Sequence, residues 1–179
     1  MADALAFEEL SPRHDRTQFS CGKPNLDDYL KRFSRQNDEL RTTKTVVVRN
    51  AQNPQVLAYY AARAGTVACS APPRARLPAD AKKRLPSYPL GTFHLARMAV
   101  DSASRLDPDG KPRRLGELML MHALKAAHTA SRHMGIFAVD VIAIDDDAAA
   151  FYRKYDFAPL LDNPRHLFLP MEKISSLLA

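Results

Sequence analysis

The sequence predicts an α+β domain: a mixed, largely antiparallel sheet with helices on both faces. Three observations predict it. Short β-branched or apolar runs at residues 43–49, 56–66, 92–100 and 136–144 have the length and composition of strands. Two longer segments, 24–40 and 115–132, place apolar residues at helical spacing or all round. No internal repeat, low-complexity tract or second domain interrupts the 179 residues, so one domain over 1–179 is expected.

Each element has its own reason. Along 24–40, Leu26, Tyr29, Leu30 and Phe33 form an apolar stripe. Asn25 suits the N-cap, Asp27 and Asp28 suit the first turn, and Asp27–Lys31 and Asp28–Arg32 are favourable pairs four residues apart. The run TKTVVVR reads as a strand, 50–54 as a turn, and VLAYYAARAGT as the returning strand of a hairpin. Prolines 72, 73, 78, 86 and 89 break regular structure over 70–91, leaving room for one short helix at 79–85. TFHLARMAV is the next strand, and 102–112 is a polar loop. Leu115, Leu118, Met119, Leu120, Met121 and Leu124 surround the following helix, which is therefore central. Gly135 marks the break before the buried strand IFAVDVIAI. Asp145, Asp146 and Asp147 cap a helix reaching Tyr155, and 157–160 and 166–171 are short final strands.

Composition excludes several classes. No apolar run approaches the length of a membrane span, and MADALAFEEL lacks the basic start of a signal peptide. Cys21 and Cys69 form no CxxC pair and stand near no histidine cluster, which argues against a disulfide framework and against a metal site. A reduced, cytoplasmic protein is expected. The formal charge is +6, and it is clustered: Arg74, Arg76, Lys82, Lys83 and Arg84 lie within eleven residues, opposed by Asp80, while Lys31, Arg32 and Arg35 share a helix with Arg41 and Lys44 just beyond. Such clusters either attract phosphate backbones or form a solvated basic surface.

Two constellations carry chemistry. In KPRRLGEL a loop opens a helix, so backbone N–H groups and the helix dipole converge on one place. Arg113 and Arg114 add charges suited to pyrophosphate, and Gly116 permits close approach. A single glycine makes the pattern unspecific by itself. In Phe151-Tyr152, a phenol with an ordinary pKa near 10 is protonated at neutral pH and can give its proton to a leaving thiolate. A core tyrosine is the alternative. His94, alone on its strand, reads as structural, and Cys21 as packing at the first helix.

The order strand, loop, long helix, strand and FYxxxxF resembles the GNAT acyl-CoA N-acyltransferases. Their loop, [QR]xxGx[GA], corresponds to Lys111-Pro112-Arg113-Arg114-Leu115-Gly116, with Arg114 where the first glycine stands. The segment FSCGKPNLDDYLKRFSRQN further resembles the GNAT toxins of type II toxin–antitoxin pairs, through Phe19, Cys21, Gly22, Leu26, Asp27, Tyr29 and Leu30. YYAARAG, LARMAVD, RRLGELML and AAAFYRKYDFAPL fit the same subgroup, and Ala96 and Ile142 depart from its common glycine and aspartate.

The resemblance implies a V-shaped splay between the central strands. It places the pantetheine arm of acetyl-CoA along Met98, Ala99 and Val100. The pyrophosphate falls on Lys111 and on the amides of Arg113, Arg114, Leu115, Gly116 and Glu117, with Phe151 beside the cofactor. It makes Tyr152 the general acid and the α-amino group of aminoacyl-tRNA the acceptor. Arg35, Arg41, Lys82, Lys83, Arg84 and Arg97 are the candidates for RNA. For Arg97 an ion pair with Asp140 or Asp101 is the competing reading. A ribbon-helix-helix antitoxin and a homodimer are the implied assemblies. Acetylation of a small amine or protein N-terminus, and a non-catalytic binding module, stand as alternatives.

Overall fold

The computed structural model describes residues 4–68, 86, 88–160 and 163–178. Seven strands form one mixed sheet: β1 (Leu5–Glu9), β2 (Lys44–Asn50), β3 (Val56–Val67), β4 (Leu90–Val100), β5 (Ala138–Ile142), β6 (Ala158–Pro159) and β7 (His166–Pro170). Their order is β1-β2-β3-β4-β5-β7-β6. β1 with β2, β2 with β3, β5 with β7 and β6 with β7 are antiparallel, while β4 with β5 is parallel. Among the described residues the longer helices are α1 (24–39), α2 (Leu115–Ser131), α3 (Asp146–Arg153) and α4 (Met171–Leu178). The expected short helix at 79–85 lies outside the described residues.

The chain forms two compact units: the segment up to Arg63 with Ala96–Ala123, and Ala64–Leu95 with the segment from Leu124 onward. β3, β4 and α2 each run from one into the other.

In the first unit the apolar faces of α1, β2 and β3 meet. Phe19, Tyr29, Leu30, Val47, Tyr59, Ala61 and Ala99 form its core. Burying a side chain such as Phe19, Leu30 or Val47 contributes roughly 1.5–3 kcal/mol. α1 has three parts: an α-helix over Pro24–Asp28, a π-helical turn over Tyr29–Phe33 and an α-helix over Ser34–Glu39. The N-cap is Lys23 with Pro24 in the first turn, which corrects the expectation of Asn25. Proline's fixed φ suits that position and its missing N–H costs nothing there. Asp28 pairs with Arg32 at 3.6 Å, whereas Asp27 accepts the Cys21 amide at 2.9 Å and the Ser20 hydroxyl at 3.4 Å. The FSCG segment is thereby tied to the helix it precedes. β1 was not anticipated; it completes the edge by pairing Leu5 through Glu9 with β2.

In the second unit Val67, Leu90, Ala138, Ala158, Leu160 and Phe168 form a separate core. The parallel register sets Thr92, Phe93 and His94 against Ala138, Val139 and Asp140. Asp145 caps α3 by accepting the Ala148 amide at 2.8 Å, as its position in the sequence predicts. α4 follows β7 directly and was also not anticipated.

Candidate functional site

The loop before α2 is built by its own polar groups. Asp107 Oδ1 accepts the amides of Asp109 and Lys111 at 2.9 and 2.8 Å, and the Asp107 amide donates to the Lys111 carbonyl at 2.8 Å. Gly110, at φ 76°, allows the chain to reverse. The Arg113 amide donates to the Arg105 carbonyl at 2.9 Å. That donor is engaged within the loop, so the expected row of ligand-facing amides shortens to Arg114, Leu115, Gly116 and Glu117.

Arg114 carries the turn into α2. Its φ is 52°, the left-handed region that favours glycine, and its carbonyl accepts the first helical bond, from Leu118 at 3.1 Å. The backbone therefore keeps the shape a glycine would give it, at a cost of about 1–2 kcal/mol for an L-residue. The guanidinium of Arg114 turns along the helix to Glu117. The first-turn amides of α2 have no acceptor within the helix, and the dipole adds partial positive charge beside them. Lys111 is exposed and Arg113 half-buried at the same turn. This donor set fits a pyrophosphate.

β4 supplies Met98, Ala99 and Val100. Ala99 lies in the core of the first unit, and the flanking Met98 and Val100 are half-buried. Arg97, one residue earlier, lies over the Tyr29 ring, 4.1 Å from its centroid. The competing reading, an ion pair with Asp140 or Asp101, is not met. Asp101 accepts the Ser20 amide and the Ser104 hydroxyl, each at 2.9 Å, and Asp140 is bound by two histidines.

Of the other RNA candidates, Arg35 is exposed and pairs with Glu39 at 3.3 Å. Arg41 is exposed, at φ 57°, just past α1. Lys82, Lys83 and Arg84 lie outside the described residues.

In the second unit, Tyr152 on α3 is 5% exposed and rests on Phe151 and Phe157, ring centroids 5.3 and 5.5 Å away. Burial pushes its phenol well above the ordinary range. The phenol therefore stays protonated at every physiological pH. Phe151 is half-buried and also packs on Tyr155, at 5.2 Å.

Sequence reasoning missed one constellation. His94 is not alone. Its Nδ1 lies 2.8 Å from Asp140 Oδ2, and His166 Nε2 lies 2.7 Å from the same oxygen. Burial pushes the Asp140 carboxyl up, but hydrogen bonds, led by His94, outweigh it and hold the group below its usual range. Neither partner is near Asp140 in sequence; only the β4–β5–β7 register brings them together. Among the described residues no cluster of ligands could hold a metal ion, and Cys21 is buried with its thiol pushed up to about 11, mainly by burial. That thiol is no nucleophile at neutral pH.

No protein-family model matches the chain. It is 30% identical over 178 residues to the tRNA-acetylating toxin of Mycobacterium tuberculosis, covering 99% of each protein. The solved structure of AtaT complexed with acetyl-methionyl-tRNAfMet superposes with a TM-score of 0.86 at 24% identity, over 98% of this chain and 100% of that one. A tyrosine-to-phenylalanine mutant of the AtaT toxin, bound to the C-terminus of the antitoxin AtaR and acetyl-CoA, gives a TM-score of 0.78 at 22% identity, with 98% of each chain covered. Both structures share this α+β fold.

Proposed function

The chain belongs to the GNAT toxins that acetylate tRNA, and from that membership we propose how its residues divide the work of moving an acetyl group from acetyl-CoA to the α-amino group of aminoacyl-tRNA. The observation that carries the reading is the turn at Arg114, which holds left-handed backbone without glycine and leaves the amides of Arg114, Leu115, Gly116 and Glu117 clear of intrahelical bonds. These amides, with Lys111 and the Arg113 side chain, hold the pyrophosphate.

Acetyl-CoA supplies, when bound, an acetyl thioester. The backbone of Met98, Ala99 and Val100 binds the pantetheine arm as an added strand would be bound. An amide of that stretch stabilises the negative charge that develops on the carbonyl oxygen. Phe151 covers the cofactor's apolar arm. The acceptor needs no strong base: an α-amine has a pKa near 7.7–8.0, lower when its carboxyl is esterified, so much of it is neutral at pH 7. The N–C bond forms, the C–S bond breaks, and the amine's surplus proton passes to water. Tyr152 donates its phenolic proton to the departing sulfur and is reprotonated from solvent. Burial disfavours a thiolate as it disfavours the phenolate, so a buried phenol and a buried sulfur remain matched. Positioning supplies most of the rate.

Arg35, Arg41, Arg97, Lys82, Lys83 and Arg84 contribute the electrostatic attraction for RNA. The protein acts as a translation-blocking toxin, held in check by an antitoxin of the ribbon-helix-helix class. Among the described residues no helix is long and apolar enough to cross a membrane. Acting on charged tRNA, the protein works in the cytoplasm. The two units serve one catalytic domain, since three elements run through both.

Incubation with acetyl-CoA and charged tRNA, followed by analysis of the released aminoacyl adenosine, tests the reading. N-acetylated product is expected. Absence of product with every charged tRNA, or equal turnover of free amines without RNA, overturns it.

A further inference from the structure

The loop before α2 folds as a miniature hairpin. Leu106 and Pro112 form an antiparallel bridge. It is flanked by bonds from the Arg113 amide to the Arg105 carbonyl, at 2.9 Å, and from the Asp107 amide to the Lys111 carbonyl, at 2.8 Å. In this pattern Leu106 and Pro112 exchange no bond with each other, so proline's missing N–H is tolerated there. The Gly110 amide closes the turn on the Asp107 carbonyl at 2.9 Å.

Side chains alternate along such a ladder. Leu106 and Pro112 therefore share one face, and Arg105, Asp107, Lys111 and Arg113 share the other. The same register sets Arg105 directly opposite Arg113. Like charges facing each other across a ladder are destabilising, so this arrangement calls for an anion.

The chain's own carboxylates near Arg105 are spent elsewhere. Asp107 Oδ1 accepts the amides of Asp109 and Lys111, at 2.9 and 2.8 Å. Asp101 accepts the Ser20 amide and the Ser104 hydroxyl, each at 2.9 Å. Asp109 stands at the tip of the turn, the far end of the hairpin from Arg105. Arg105 is exposed, and its guanidinium has no carboxylate or hydrogen-bond partner among the described residues.

The hairpin runs directly into the amides of Arg114, Leu115, Gly116 and Glu117, to which the reading above gives the pyrophosphate. Coenzyme A carries another anion close by. The ribose next to the pyrophosphate bears a 3′-phosphate, a monoester with a charge of about −1.5 to −2 at pH 7. One sugar separates the two groups, and one cross-strand step, with Cβ atoms about 4.5–5.5 Å apart, separates Arg113 from Arg105. A guanidinium presents a planar fork that matches such a phosphate. Resting on that pyrophosphate reading, we propose that Arg105 is the 3′-phosphate subsite of the cofactor site, its guanidinium taking the 3′-phosphate of acetyl-CoA. The bound monoester then lies between two facing cations and offsets their repulsion. Arg105 thereby distinguishes coenzyme A from thioester carriers that share the pantetheine arm and lack this phosphate. A phosphodiester of the RNA is the competing occupant, and the experiment separates the two.

Calorimetry compares acetyl-CoA with 3′-dephospho-acetyl-CoA, in the parent chain and in Arg105→Ala. The parent should bind acetyl-CoA more tightly by roughly 5- to 30-fold, one charge-assisted contact in an exposed setting. Arg105→Ala should bring acetyl-CoA down to the level of the dephospho ligand and leave the dephospho ligand unchanged. Arg105→Lys, which keeps the charge without the fork, should retain part of the difference. KM for charged tRNA should not move. Equal affinity of the parent for the two ligands, an equal loss for both in Arg105→Ala, or a raised KM for charged tRNA beside unaltered cofactor binding overturns the proposal. Failure of the parent to bind either ligand overturns the cofactor reading and the subsite with it; binding of both without discrimination overturns the subsite alone.

Discussion

Glu8 and Arg49 are joined by two parallel hydrogen bonds, Nη2 to Oε1 at 2.9 Å and Nε to Oε2 at 3.0 Å, between the first two strands. His14 and Arg13 reach the same carboxylate at 2.8 and 2.9 Å. These bonds, Arg49's the largest, lower the Glu8 carboxyl from 4.5 to about 2. The unfolded chain then binds a proton that the native chain refuses. Glu8's contribution is complete above its unfolded pKa and is lost as pH falls through the folded value. Urea midpoints measured against pH should fall between about 4.5 and 2. Glu8→Gln should be less stable at neutral pH and flatter across that window. Parallel curves for parent and variant would refute this account.

Arg114 should tolerate glycine and reject a β-branched residue. Relief of left-handed strain is set against glycine's larger unfolded-state entropy and a weak surface ion pair. Arg114→Gly is therefore expected within about 1 kcal/mol of the parent. Arg114→Val should lose at least about 1 kcal/mol more, since a branched Cβ is least tolerated at positive φ. Thermal melts and KM for acetyl-CoA check both; equal stability of the two variants would show that the turn is not strained.

Removing one oxygen tests Tyr152. Tyr152→Phe keeps the ring contacts, so its melting temperature should barely move, while kcat falls by about 10²–10⁴ if the phenol is the acid. Because burial raises the phenol's pKa, the parent's rate should show no loss from phenol ionisation up to about pH 10. A fully active phenylalanine variant removes Tyr152 from the reaction.

Gly65 is required for close packing over the histidine–aspartate cluster. A Cβ there would lie 2.8 Å from both His94 Cβ and Thr92 Oγ1. Gly65→Ala should cost about 1–3 kcal/mol. Gly135→Ala, where a Cβ would meet nothing within 4 Å, is the control and should be neutral or slightly stabilising. Similar urea midpoints for the two variants would contradict the geometry.

Much of this was legible in sequence because it is local. Asp145 announces its cap, the β-branched run before Asn50 announces β2, and the basic loop before Leu115 announces a helix N-terminus. The unread parts are set by competition or distance. Four apolar residues at helical spacing cannot reveal that Ser34 is buried while Phe33 is 50% exposed, because the π-helical turn is held by Arg16, arriving from outside the helix. His94 stands alone in the sequence because its partner Asp140 is 46 residues away, and the second histidine on Asp140, His166, is 26 further. β1 is five residues beside a terminus, and α4 begins where a strand ends at Pro170, so neither offered a bounded periodic window.

The bond from the Ser20 amide to Asp101 joins residues 81 apart. Closing a loop of that size costs about 4 kcal/mol in chain entropy. On the ribosome, the FSCG segment emerges roughly 4–16 s before its partner, at about 5–20 residues per second. The signature that distinguishes this subgroup thus cannot reach its final anchorage until Asp101 has been made. The nascent chain has no completed first unit during that interval.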